Sequence, residues 1–146
     1  MVFMIMDIDP RDALAIQHVA FTYASANDDR DIAAIDACFT PDGSFGLRIA
    51  GQDPIGPFDP STTPTRSDFF SADLGAQTDQ RRHVVTNVRF VEVEADRVVT
   101  LSYFTLMVTD GGVTRALTTG VYRDVMVRND GGWLIAEKWL ELDGSP

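Results

Sequence analysis

The C-terminal half of the chain most constrains its fold. Four long strand-like runs, 83–94, 98–109, 114–128 and 133–142, follow one another almost without a gap. The breaks are Ala95-Asp96, Asp110-Gly111-Gly112 and Asn129-Asp130-Gly131-Gly132. Asp-Gly and Gly-Gly steps tolerate the left-handed backbone of tight hairpins, so the last two breaks are hairpin connections, and Ala95-Asp96 reads as a turn. Parallel strands need a crossover of a dozen or more residues, and none fits here. An antiparallel sheet is expected.

The first half reads as helices. Asp9 and Pro10 suit the N-cap and first turn of a helix. Ile16, Val19, Ala20 and Tyr23 then recur at helical period until Asn27-Asp28-Asp29-Arg30 interrupts them. A second helix follows Asp31, with Ile32, Ile35 and Phe39 on one face. Thr40-Pro41-Asp42-Gly43 reads as a turn and 44–49 as a short strand. Residues 51–64 carry four prolines and read as a loop, either a lid or binding loop or a disordered tip. Ser67 can cap a third helix over 68–76. Helices first and strands later indicate an α+β domain rather than βαβ units.

A length of 146 residues suits a single domain. A net charge of -10 argues against nucleic acid, whose phosphates need Lys and Arg, and against an anionic membrane surface. Cys38 is the only cysteine, so no intrachain disulfide can form and a reducing, cytoplasmic setting fits. Its apolar helical neighbours mark it as a core residue. The apolar stretch 1–8 is short for a signal peptide or a bilayer span and is expected to pack on the body or on a second subunit. Within 98–108 nearly every position is apolar or hydroxylic, which suggests that both faces of that strand are covered. Helices would cover one face and a second subunit the other, so a homodimer is expected.

His83 is one of two histidines and stands at the mouth of an alternating strand, just after a helix. Facing inward, it would be the natural proton carrier near neutral pH. His18 falls on a different helix direction from Tyr23 and reads as a surface residue.

Three segments carry a family resemblance. They are Tyr23 to Asp31 with Phe39 to Gly43, then Arg82-His83-Val84-Val85-Thr86-Asn87, then Gly120 to Asp124 with Gly131 to Glu137. Over about 11–142 the chain resembles the SnoaL-like branch of the nuclear-transport-factor-2-like superfamily, with scytalone-dehydratase-like enzymes as neighbours. The resemblance implies a conical α+β barrel, three N-terminal helices packed on a strongly curved, mostly antiparallel sheet, with an apolar pocket between them. Members include dehydratases, isomerases, cyclases, hydrolases and proteins without chemistry, so fold alone does not settle function.

By that resemblance Tyr23, Asp28 and His83 match a dehydratase-like site. A carboxylate bonded to one imidazole nitrogen fixes the tautomer, so the other nitrogen can take a proton next to a carbonyl. A tyrosine hydroxyl can polarise that carbonyl. No metal or cofactor is required. Asn87, which shares strand parity with His83, and Tyr103, Thr105 and Phe39 would contact substrate. Structural readings stand beside these: His83 bonding to backbone, Tyr23 as a core aromatic, Asp28 as a helix terminator and Asn87 as an amide tying strands. Residues 101–108 offer no carboxylate or histidine, unlike some dehydratase-like relatives. Epoxide-hydrolase relatives use an Asp-Arg-Asp set on strands, which Arg89 and Asp124 leave open. Asp124 and Arg128 share a strand face and could pair at a dimer interface.

The expected activity is a cofactor-free lyase or isomerase on a small hydrophobic carbonyl or hydroxyl compound. The alternatives are a small-molecule binder of the same fold and a scaffold subunit of a dioxygenase-like complex.

Overall fold

A computed structural model describes residues 7–146. Of the apolar N-terminal stretch expected to pack on the body or a partner, residues 1–6 lie outside the described residues.

Helix α1, Pro10–Asp28, begins where the Asp9 carboxylate accepts from the Arg11 N–H at 2.8 Å. It ends where Arg30 enters the left-handed region, φ 55°. Helix α2, Ile32–Ala37, is capped by Asp31, which accepts from the Ala34 N–H. Helix α3, Arg66–Gly75, starts earlier than expected. Thr65 caps it in a reciprocal box with Asp68, and the Ser67 hydroxyl donates instead to Asp36 at 2.6 Å.

The strands are β1 Phe39–Ile49, β2 Ile55–Phe58, β3 Gln80–Val93, β4 Arg97–Asp110, β5 Val113–Asn129 and β6 Gly132–Leu142. They form one sheet in the order β2-β1-β6-β5-β4-β3, antiparallel except where β1 runs parallel to β6. The fold is α+β, as expected, with hairpins at Ala95-Asp96 and at the two glycine pairs. Two details differ. Thr40 to Gly43 is an irregularity inside β1, not a turn between elements. The proline-rich segment contributes β2, which tolerates Pro57 because an edge strand leaves one row of N–H groups unpaired.

The core lies between the helices and one face of the sheet. Ile16, Tyr23, Ile35, Phe39, Phe70, Phe104, Tyr122, Met126 and Ile135 are all at most 4% exposed. Aromatic rings meet edge-on: Tyr23 lies 6.0 Å from both Phe39 and Tyr122 and 6.1 Å from Phe70. Cys38 is buried in this cluster.

Candidate active site

Residues paired across neighbouring strands share a face of the sheet. His83 lies opposite Leu106, Leu106 opposite Thr118, Phe104 opposite Gly120, Gly120 opposite Leu142, and Tyr122 opposite Leu140. Continued to Leu47, opposite Leu140, this register lays one wall of a cavity of about 100 Å³. Tyr23 and Asn27 from α1, Phe69, Phe70 and Asp73 from α3, and Gln77 just after α3 close the other wall.

Gly120 makes the packing possible. A Cβ there would stand 2.3 Å from the Glu141 carbonyl oxygen and 2.6 Å from the Phe104 ring. Phe104 thereby lies nearly parallel to the His83 imidazole, with centroids 6.1 Å apart.

His83 is held by Asp28, the last residue of α1. Asp28 Oδ1 lies 2.6 Å from His83 Nδ1, and its carboxylate also accepts from the His83 backbone N–H at 3.0 and 3.2 Å. A helix C-terminus disfavours an anion, so this carboxylate gains nothing from its own helix. Its partners on β3 account for its position. The contact sets Nδ1 as the nitrogen facing Asp28 and leaves Nε2 without a protein partner among the described residues. Gln80 donates to the Asp28 carbonyl and Arg30 to the Asp79 carbonyl, pinning the start of β3 to the end of α1.

Tyr23 also lines the cavity. Burial holds its hydroxyl well above the ordinary phenol range, and neighbouring Tyr122 adds to the shift. The group stays a neutral hydrogen-bond donor. Beneath both tyrosines lies a buried ion pair: Lys138 Nζ donates to Asp124 at 2.9 and 3.1 Å, and it stands 4.3 and 3.8 Å from the Tyr23 and Tyr122 ring centroids. Asp124 is therefore not paired with Arg128, which binds Asp12 and Asp96. Arg89 is exposed on β3, so it and Asp124 form no Asp-Arg-Asp set.

Tyr23, Asp28 and His83 thus come together. The expected substrate contacts do not join them. Tyr103 pairs with Thr86 and Val121, and Thr105 with Val84 and Thr119, which puts both on the outer face. Asn87 is exposed, at φ 53°, in a bulge where the β3–β4 register shifts; the extra residue breaks the parity that linked it to His83. Phe39 is core, packed behind Tyr23 and under the Arg66 guanidinium, and does not line the cavity.

Asp73, Gln77 and Arg81, at the polar end, were not anticipated. The spacing of Phe70, Asp73 and Leu74, one helical face, is the sequence signal that would have found Asp73. Among the described residues no group of three or more His, Cys, Asp or Glu is gathered as metal ligands. No described helix is long and apolar enough to cross a membrane.

No curated protein matches the chain. Several solved structures do. A protein of unknown function from Mycobacterium tuberculosis is 25% identical, with TM-score 0.72 over 94% of this chain and 78% of its own. An aromatic ring hydroxylase candidate from Novosphingobium aromaticivorans is 26% identical, with TM-score 0.74 over 95% and 96%. A Catenulispora acidiphila protein in complex with S-DNPA is 25% identical, with TM-score 0.74 over 92% and 95%. Residues 10–138 match the family model described as SnoaL-like domain, and the chain belongs to that family.

Proposed function

We propose that the protein is a cofactor-independent acid–base enzyme, a dehydratase-like lyase or an isomerase, acting on a small hydrophobic carbonyl or hydroxyl compound. The observation that carries this reading is the 2.6 Å contact between Asp28 and His83 Nδ1 on the wall of an apolar cavity. Nε2 of His83 takes a proton from carbon beside a carbonyl, and Asp28 stabilises the imidazolium that forms. The Tyr23 hydroxyl donates a hydrogen bond to the carbonyl oxygen as charge builds there.

The cavity of about 100 Å³ is well below the ~300–1,000 Å³ typical of drug-sized ligands. A compact substrate fits, or a larger one that leaves part of itself outside the mouth. The similar structure named as an aromatic ring hydroxylase candidate supports a ring-bearing ligand. A single buried cysteine suits a reducing compartment such as the cytoplasm. The proposal includes a second copy of the chain on the outer sheet face, and neither nucleic acid nor membrane as partner.

The test uses ring opening of nitrobenzisoxazole, a compact aromatic that needs only one proton removed from carbon. Wild type should accelerate it, and His83→Ala should lose about 10²–10⁴-fold while remaining folded by circular dichroism. Wild-type rate in His83→Ala would end the catalytic reading and leave the cavity as a binding site.

A further inference from the structure

Helix α3 packs on the body through Phe70 and Leu74, and Asp73 lies beside them in its last turn, with Gln77 just beyond the helix. Asp73 is solvent-exposed, yet its side chain lines the same cavity as His83. No described cation compensates it directly. Arg81 Nε is bonded to Asp79 at 2.9 Å, and the hydrogen bond Asp73 accepts is a long one, 3.4 Å from Gln77. The cavity therefore has proton-carrying groups from two elements: His83 of β3, backed by Asp28 of α1, and Asp73 of α3. Tyr23, held neutral by burial, is a poor source of a whole proton.

We propose that Asp73 is the catalytic acid of the site, protonating a departing hydroxyl across the cavity from His83. This rests on the reading of His83 as the base. Nε2 of His83 takes the proton from the carbon beside the carbonyl, and the C–H electron pair becomes the new C=C bond. The C–O bond breaks, its pair leaves with the oxygen, and that oxygen takes the Asp73 proton and departs as water. His83 then holds one proton more and Asp73 one fewer, and exchange with solvent resets both.

The surroundings suit this division. Asp73 reaches solvent at the mouth, yet partial desolvation by the protein holds its carboxyl above the ordinary carboxylate range, opposed by Arg81 and His83. Besides these two from β3, the cavity presents Tyr23 from α1, Tyr122 from β5 and Gln77 from the segment after α3. An apolar substrate that expels water from the mouth pushes the carboxyl further toward its protonated form.

Two reactions separate the roles. Nitrobenzisoxazole ring opening needs a base alone. Dehydration of the phenyl β-hydroxy ketone that yields benzylideneacetone also needs a proton for the leaving hydroxyl. In Asp73→Asn the ratio of dehydration to ring opening should fall at least about 100-fold. Asp73→Glu should recover part of it, and the alkaline fall of wild-type dehydration should vanish in Asp73→Asn. An unchanged ratio in Asp73→Asn, with His83→Ala slow in both reactions, would overturn the role of Asp73 and leave His83 standing. A wild type that accelerates neither reaction would overturn both.

Discussion

Single buried charges dominate the energetics beside the cavity. Lys138 and Asp124 are each 1% exposed, and burial pushes the lysine down and the aspartate up in pKa while each opposes the other's shift. Removing one partner strands the other without water, at a cost of about 3–5 kcal/mol. Lys138→Met should therefore lower unfolding free energy in urea by that amount. Lys138→Met combined with Asp124→Leu should regain much of the loss, because an apolar pair leaves nothing unpaired. Equal stability of the single and double variants would contradict this account. The pair was not legible in the sequence, where Asp124 suggested a partner four residues along its own strand. Lys138 reaches it from β6, through the pairing of Asp124 with Lys138 that only the sheet register supplies. The site residues divide in the same way. His83 could be read from its place at the mouth of a strand, whereas Tyr23 and Asp28 entered the site only through the family resemblance. Tyr103 and Thr105 are polar positions of β4, but parity with Leu106, the partner of His83, selects Phe104 and Leu106 instead.

The elements themselves were legible wherever local chemistry decides them. Asp9, Asp31 and the glycine hairpins act within a few residues, so sequence suffices to place them. Strand β2 was not visible, because a short edge strand with a proline owes its existence to β1. The attachment of α1 to the sheet is likewise tertiary. Asp12 accepts from Arg128 at 2.9 and 3.1 Å and from the Trp133 indole N–H at 2.9 Å. The Arg128 hydrogen bond, then that of Trp133, holds the Asp12 carboxyl below its ordinary value of 3.8. A folded-state pKa below the unfolded one adds stability that is present above 3.8 and lost as pH falls through the lower folded value. Asp12→Asn should thus melt below wild type near neutral pH, and the gap should close in acid. A gap that persists undiminished well below 3.8 would show that the carboxylate's charge is not what fastens the helix.

At the scale of the whole molecule the helices cover only one face of the sheet. On the other, Val84 is 44% and Tyr103 49% exposed, with Thr105 and Val121 between them in register. The apolar character of 98–108 pointed to cover on both faces, and a second copy is the proposed cover for this one. Two chains of net charge -10 repel, so such a pair depends on apolar contact and should tighten as salt screens the repulsion. Sedimentation should give twice 16.1 kDa at moderate salt, with the equilibrium shifted toward monomer at low salt. Joint Val84→Glu and Tyr103→Glu should yield monomer that keeps nitrobenzisoxazole ring opening, because neither side chain lines the cavity. A wild type that sediments as 16.1 kDa at every salt concentration would remove the second copy from the proposal and leave the site intact, since Tyr23, Asp28 and His83 all belong to one chain.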